Sequence, residues 1–242
     1  ISEIVEEREK IQDNHYELDE RKSIHIINIL KSKIGDTLSA GVIDKEYGNF
    51  HINKIENNKI YGVFIRANTA GPQNNCPEIR LFTSIQRPQT VKKILQLAAA
   101  FGIKEIVFFV ADKSEKSYLN SPVWKKENIA KEIILGLEQG KKILPPKVEI
   151  LKNKHEISKI KNLGFKILFH PTGISMNSYK NEIQTGDMIS ILLGPESGFN
   201  ETELKYFKGM GFSVVTLSNS ILRTETAFAF SIAQIELLIS EK

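Results

Sequence analysis

MISILLGPESGFNETEL (Met188–Leu204) decides the fold. Met188–Leu193 is a short, almost wholly apolar run, the pattern of a strand covered on both faces. It passes directly into Gly194-Pro195-Glu196-Ser197-Gly198, where glycine permits close backbone approach and proline stiffens the turn. Asn200 and Glu203 then form an N-x-x-E capping signature ahead of Leu204 and Phe207. A buried strand that turns straight into a helix is the building unit of an α/β sheet.

The same unit recurs on either side. EIVFFVA (Glu105–Ala111), KVEIL (Lys147–Leu151), KILFH (Lys166–His170) and SVVTL (Ser213–Leu217) are further strands. Val91, Ile94, Leu95, Ala98 and Phe101 fall at helical spacing, with Gly102 as the stop. Pro122 opens a helix carrying Ile129, Ile133 and Leu137, another is expected around Ile157 and Ile160, and the last runs from about Thr224. Strands alternating with helices predict a mainly parallel sheet with helices on both sides. The final helix carries two apolar stripes, Phe228/Ile232/Ile235/Ile239 and Phe230/Ala233/Leu237. A helix apolar most of the way round is buried on more than one side, and a subunit interface can supply the second side.

The first third has a different rhythm. Leu38/Ala40/Val42, Phe50/Ile52 and Tyr61/Val63/Ile65 alternate with polar neighbours, as strands with one buried face do. Turn signals at Gly35-Asp36, Gly48-Asn49 and Asn57-Asn58 separate them, which predicts a small β-barrel. Ala67–Pro77, rich in Asn, Gly and Pro, is the expected linker. Two domains follow, 1–72 and 73–242.

Composition excludes several classes of function. Cys76 is the only cysteine, and the five histidines include no pair at i, i+3 or i, i+4. No metal site is therefore expected. No apolar run reaches membrane-spanning length and no secretory signal opens the chain, so a cytoplasmic protein is expected. Charge is uneven: up to Pro72 there are 10 Lys+Arg against 12 Asp+Glu, and after it 23 against 17. Lysines bunch at Lys125–Lys126, Lys141–Lys142–Lys147 and Lys152–Lys154–Lys159–Lys161–Lys166. Such a face attracts a polyanion such as RNA, although a solvated lysine surface would look the same.

Ligands in open α/β sheets bind at the carboxyl ends of strands. Three strand ends carry unusual residues: Phe169-His170-Pro171, Gly194–Gly198 and Leu217–Arg223. One tight turn would need glycine anyway; three together point to a site. In ILRTETA (Ile221–Ala227), Thr224 suits a helix N-cap and Glu225 suits the first turn. A cation at a helix N-terminus is electrostatically disfavoured, so Arg223 is the leading functional candidate. Other motifs fail: GMGFSV (Gly209–Val214) precedes its strand and lacks a third glycine, Ser197 is misplaced for a nucleophile elbow, and no phosphate-binding GxxxxGK[ST] exists.

GPESGFNETEL (Gly194–Leu204) and LSNSILRTETA (Leu217–Ala227) together resemble the last two motifs of the small-subunit ribosomal RNA uridine-N3 methyltransferases of the SPOUT class. HIINILKSKIGD (His25–Asp36), LAAAFGIKEI (Leu97–Ile106) and EQGKKILPP (Glu138–Pro146) are similar to motifs earlier in that family. The resemblance implies an α/β domain with a C-terminal trefoil knot after a PUA-like RNA-binding barrel. It implies a homodimer that uses S-adenosyl-L-methionine to methylate uridine N3 in ribosomal RNA of the small subunit. His170, Pro171, Leu193, Gly194, Pro195, Glu196, Gly198, Leu217, Ser218, Ile221 and Leu222 would bind the cofactor. Arg223 and Glu225 would be catalytic, the first stabilising charge on the uracil and the second accepting a proton or orienting Arg223. Lys31, Lys141 and Lys142 would hold RNA.

The sequence departs from that pattern at Ser197, Ser218, Ser220, Ala100 and Lys142. A serine in place of glycine adds a Cβ, which is costly where φ is positive. The alternative is therefore a non-catalytic RNA-binding or ribosome-assembly relative with the same fold. A small-molecule α/β enzyme is a more distant reading, disfavoured by the lysines and the separate barrel.

Overall fold

The computed structural model describes residues 3–67, 77–184 and 186–240. It divides into two compact units, 1–73 with 134–145 and 74–133 with 146–242. A single cut after Pro72 does not anticipate the return of 134–145 to the first unit. Most of the expected linker, including Cys76, lies outside the described residues.

The first unit is a six-stranded mixed sheet. Its strands are β1 (Glu3–Val5), β2 (Lys10–Gln12), β3 (His15–Glu17), β4 (Thr37–Val42), β5 (Glu46–Glu56) and β6 (Lys59–Arg66), with α1 (Glu20–Ile24) running into a π-helical turn after β3. The spatial order is β1-β4-β5-β6-β3-β2, with β1 parallel to β4 and the other pairs antiparallel. Asn57 and Asn58, at φ 51 and 59, make the expected tight turn between β5 and β6.

Two expectations for this unit need correction. Gly48-Asn49 is not a turn but lies inside β5. A Cβ on Gly48 would sit 2.2 Å from the Ile65 carbonyl oxygen and 2.5 Å from the Phe64 ring, so glycine here allows close packing. In β6 the buried face is Ile60/Gly62/Phe64, not Tyr61/Val63/Ile65. The Asn57-Asn58 turn sets Phe50 opposite Phe64 and Ile52 opposite Gly62, and a one-residue shift exchanges the faces. The core gathers Tyr16, Leu18, Ile26, Phe50, Ile52, Ile60 and Phe64.

Lys22 is fully buried in this unit, its ammonium 2.7 Å from Glu9 Oε2 and 3.2 Å from Glu6 Oε1. Glu6, Glu9 and Asp19 bring carboxylate oxygens within 4.8 Å of one another, and that ammonium pairs with all three, while Arg8 pairs with Glu6 and Asp19.

The second unit carries β7 (Glu78–Ser84), α2 (Pro88–Phe101), β8 (Glu105–Phe109) and then α3 (Lys126–Gly140), whose last turns count with the first unit. It continues with β9 (Lys147–Leu151), β10 (Phe165–Ser175), β11 (Met188–Leu193), α4 (Glu201–Gly209), β12 (Ser213–Thr216) and α5 (Thr224–Ser240). Its six strands are all parallel, in the order β12-β10-β11-β7-β8-β9. The expected α/β architecture with a mainly parallel sheet is thus present. The helix expected around Ile157 is a 3-10 turn, Lys154–Lys159, too short to bury more than Ile157 fully.

Both sheet faces are buried. Leu81, Ile106 and Ile191 align across strands on one face, and Phe82, Val107 and Leu192 on the other. The second set packs with Phe109, Phe199 and Phe207, the last from α4. Elsewhere α2 and α5 meet through Phe101 and Phe228, with ring centroids 5.9 Å apart edge to face. Gly102 ends α2 in the left-handed conformation at φ 73. Among the described residues no helix is long and apolar enough to cross a membrane.

Candidate active site

Three strand ends of the second unit enclose one cavity of about 330 Å³. The first wall is a bulge in β10. Phe169 and Ile174 both oppose Val215, so residues 170–173 are pushed out of the ladder. Gly173 is required there, because a Cβ would lie 2.3 Å from the Val215 backbone. His170 and Pro171 face the cavity from this bulge. The His170 Nδ1 lies 2.8 Å from Thr172 Oγ1, and partial burial with Lys208 and Lys113 holds the imidazole below its ordinary pKa.

The second wall is the turn after β11. Leu193, Gly194, Pro195, Glu196, Ser197 and Gly198 all line the cavity. The Gly198 amide donates to the Pro195 carbonyl at 2.8 Å, and Gly198 sits at φ 70. Ser197 and Ser218 are not among the positive-φ residues, so neither serine strains the backbone. The departure that would favour a non-catalytic relative thus costs nothing in conformation. The far end of the turn is held by the predicted capping box: Asn200 Oδ1 accepts from the Glu203 amide at 2.8 Å, and Glu203 Oε2 accepts from the Asn200 amide at 3.0 Å. Glu203 also accepts from the Asp112 amide at 2.8 Å, and Asn200 Nδ2 donates to Asp112 Oδ2 at 2.9 Å.

Lys154 completes this network through Asp112 and Glu203. Its hydrogen bond, followed by that of Asn200, holds Asp112 below the ordinary carboxylate pKa. Lys154 is therefore buried structure and not part of an open basic face. Lys166 is likewise committed, its ammonium donating to the Met210 carbonyl at 2.5 Å. Lys152, Lys159 and Lys161 remain exposed.

The third wall is the stretch between β12 and α5. Leu217, Ser218, Ile221 and Leu222 line the cavity. Gln234 on α5 donates to the Leu217 carbonyl at 2.9 Å, and Ser218 Oγ accepts from the Ser220 amide at 3.1 Å. Ile221 is 93% exposed at the mouth. Every residue named from the resemblance as cofactor-binding lines this one cavity.

Arg223 and Glu225 line an adjoining cavity of about 480 Å³, shared along Pro195, Glu196, Ile221, Leu222 and Thr224. Arg87 and Lys93, which no motif in the sequence marks, join them. Arg87 Nε lies 3.0 Å from Glu196 Oε2, and Lys93 Nζ lies 3.0 Å from Glu225 Oε1. Arg223 is exposed and its guanidinium has no ion-pair partner among the described residues. Partial burial pushes the Glu225 carboxyl up, but its own backbone amide and the Lys93 ammonium outweigh this and leave it below the ordinary value. Thr224 needs a correction: it is the first helical residue, so Arg223 holds the cap position, its carbonyl accepting from the Ala227 amide at 2.8 Å. The Thr224 hydroxyl instead donates to Gln86 Oε1 at 3.3 Å.

Lys31 and Lys141 are exposed residues of the first unit with left-handed backbones, φ 58 and 54, and Lys142 is half-buried beside Lys141.

A mainly parallel α/β sheet with a cavity built from three strand-end loops, beside a second cavity rimmed by cations, defines a class. The profile of a family described as "RNA methyltransferase domain" matches residues 72–236. A relative from Borreliella burgdorferi, "Ribosomal RNA small subunit methyltransferase E 1", is 33% identical over 87% of each chain. One from Treponema pallidum, "Ribosomal RNA small subunit methyltransferase E", is 26% identical over 84% of this chain and 77% of that protein. The chain belongs to this family of small-subunit ribosomal RNA methyltransferases. The fold is shared with a Neisseria gonorrhoeae ribosomal RNA small subunit methyltransferase E solved bound to S-adenosyl methionine, at a TM-score of 0.74 and 18% identity over 98% and 97% of the two chains. It is shared also with a Legionella pneumophila protein solved with the same cofactor, at a TM-score of 0.78 and 18% identity over 98% of each.

Proposed function

We propose that this protein transfers a methyl group from S-adenosylmethionine to a uridine N3 of small-subunit ribosomal RNA. The observation that carries the reading is the three-walled cavity of the second unit. Its volume, about 330 Å³, is of the size that holds small-molecule ligands. Leu193, Leu217 and Leu222 offer apolar walls for a nucleoside, while Gly194 and Gly198 leave backbone accessible at the turn. A Cβ at Gly194 would already meet the Phe199 ring at 3.1 Å. His170, neutral at physiological pH, presents no cation to a positively charged sulfonium. These residues fit the cofactor.

When bound, S-adenosylmethionine supplies an already activated methyl group. The protein's own residues must orient the uracil and stabilise the charge left as its nitrogen loses a proton. Alignment contributes roughly 7–11 kcal/mol to such reactions. Of the cations that line the second cavity, Arg223 alone makes no ion pair among the described residues, which leaves it to face the uracil oxygens. Glu225, with its pKa held below the ordinary carboxylate value, is a poor acceptor for so weak an acid. Its role is to hold Lys93 beside Arg223, and the proton leaves to solvent. The base reaches the second cavity only after leaving its stack.

The proposal has an architectural half. Residues 1–72 serve as a PUA-like RNA-binding barrel with Lys31, and Lys141 and Lys142 of the same unit assist. Residues 73–242 are a SPOUT domain whose chain is knotted around the cofactor turn. Two copies pair through the outer stripe of α5, where Phe230 and Leu237 are 46% and 56% exposed although Phe228, Ile232 and Ile235 are buried. The protein works in the cytoplasm, where ribosomes are assembled.

Calorimetric titration with S-adenosylmethionine, followed by methyl transfer to unmethylated small subunits and mapping of the product, tests the reading. Saturable binding and a new N3-methyluridine are expected. Absence of both binding and transfer would sink it.

A further inference from the structure

Gln86 follows β7 at the centre of the parallel sheet and is 1% exposed, yet no feature of the sequence marks it. Its amide is fully engaged. Nε2 donates to the Gly194 carbonyl at 2.9 Å and to Ser84 Oγ at 2.9 Å, while Oε1 accepts from Thr224 Oγ1 at 3.3 Å. Gly194 begins the turn that forms one wall of the first cavity, and Thr224 is the first residue of α5, next to Arg223. One side chain therefore ties the start of one loop to the end of another. The two cavities share the residues on either side of this tie, Pro195, Glu196, Leu222 and Thr224.

We infer that Gln86 is a positioning residue, which holds the methyl-donor turn and the Arg223 loop in a fixed mutual geometry. The amide is suited to the task because it offers a donor on one side and an acceptor on the other. A carboxylate could accept from Thr224 but would face the Gly194 carbonyl with no proton to give. An apolar side chain would leave that half-buried carbonyl and the hydroxyl without this partner. The ion pairs of Arg87 with Glu196 and of Lys93 with Glu225 connect the turn and the start of α5 only by way of α2, whereas Gln86 is the single side chain among the described residues that bonds to both the turn and Thr224. The kinetic consequence rests on the methyl-transfer reading; the geometric link does not.

Two variants test it. Gln86→Met keeps the volume and removes all three bonds, including the two that form the tie. The reporters are the Gly198 and Ala227 amides, each in a 2.8 Å hydrogen bond next to one end of the tie. In the ligand-free protein both should exchange with solvent faster by about tenfold to a hundredfold, the loss of one or two half-buried hydrogen bonds, with β8 amides unchanged. Acceleration at one site alone, or at neither, overturns the inference. This readout needs no cofactor, so it holds its meaning even where methyl transfer fails. Gln86→Glu supplies the kinetic arm. Relative to wild type, its KM for S-adenosylmethionine should rise about tenfold at pH 8, and the ratio should return toward one at pH 5.5, where a protonated carboxyl again donates to Gly194. A defect that is the same at both pH values would mean that Gln86 merely fills space, and would overturn the positioning role.

Discussion

Arg223→Ala separates chemistry from folding with unusual clarity, because the side chain is exposed and makes no ion pair among the described residues. Its removal leaves no cavity and orphans no buried group. Substitutions at such positions normally change stability by less than about 0.5 kcal/mol. The expected change in melting temperature is correspondingly within a few degrees. The kinetic effect depends on how well the site is desolvated. A cation about 4 Å from a developing negative charge is worth about 1 kcal/mol in water and about 4 kcal/mol at the effective dielectric of a protein surface cleft. The exposed mouth of the second cavity gives the lower limit, about fivefold in rate. Closure by bound RNA gives the upper, about 1000-fold, and loss of a preorganised donor elsewhere costs about 100- to 1000-fold, about 2.7–4 kcal/mol. We expect a fall of about 100- to 1000-fold in kcat for methyl transfer, measured by single-turnover transfer of labelled methyl, with cofactor affinity and melting temperature unchanged. Arg223→Lys should recover part of the rate. Full activity in Arg223→Ala would refute the assignment, and loss of cofactor binding would show that Arg223 acts on the donor cavity instead.

The remaining expectations concern separate features of the molecule. Gly198→Ala should cost about 1–2 kcal/mol by thermal denaturation, since φ is 70 but the space around the new Cβ is open; Gly164→Ala, whose Cβ would lie 1.9 Å from the Met188 carbonyl oxygen, should cost far more, and equal costs would refute the distinction. Burial, then the nearby Glu138 carboxylate, raises Glu3 to about 7. A carboxyl raised in the folded state is a liability that is absent below its unfolded pKa, grows from there to pH 7, and is full above it. Glu3→Gln should therefore stabilise at pH 8 by up to about 3 kcal/mol and change little at pH 4.5; a gain independent of pH would contradict this. Replacing Lys152, Lys159 and Lys161 with glutamine should reduce the salt slope of RNA binding by about one for each phosphate that these ammonium groups neutralise, whereas Lys154→Met should destabilise the fold; an unchanged slope would leave those lysines as solvated surface. Sedimentation should give about twice the 27.4 kDa chain mass, and Leu237→Glu should return it to one chain; a wild-type monomer at micromolar concentration would remove the paired architecture.

What is legible in the sequence is what period and turn chemistry encode locally. Met188–Leu193 is a strand to the residue, because a strand buried on both faces is almost wholly apolar, with Ser190 its single polar residue. The Asn200/Glu203 capping box and the Gly102 stop are local bonds between residues a turn apart, so they are legible too. β7 is hidden because EIRLFTS mixes charged, hydroxyl and apolar residues, its Arg80 being paired with Glu105. The buried face of β6 is ambiguous in the sequence because both of its faces are apolar and only the pairing with Phe50 decides between them. The three cavity loops stand out as unusual strand ends. Gln86, Arg87 and Lys93 do not, since their meaning lies in partners more than a hundred residues away.

The turn from Gly194 to Asn200 is anchored at both ends before any ligand arrives, by Gln86 at the first carbonyl and by Glu203 and Asp112 at the last residue. Ordering a segment of that length on binding would otherwise oppose association, residue by residue. Here that cost falls on folding instead. Capture by this turn should therefore be a single kinetic phase with a rate proportional to ligand concentration, no plateau from a slow loop rearrangement, and only a small entropic penalty from the protein. Loosening either anchor should first appear as a concentration-independent step in the binding trace, earlier than any loss of equilibrium affinity.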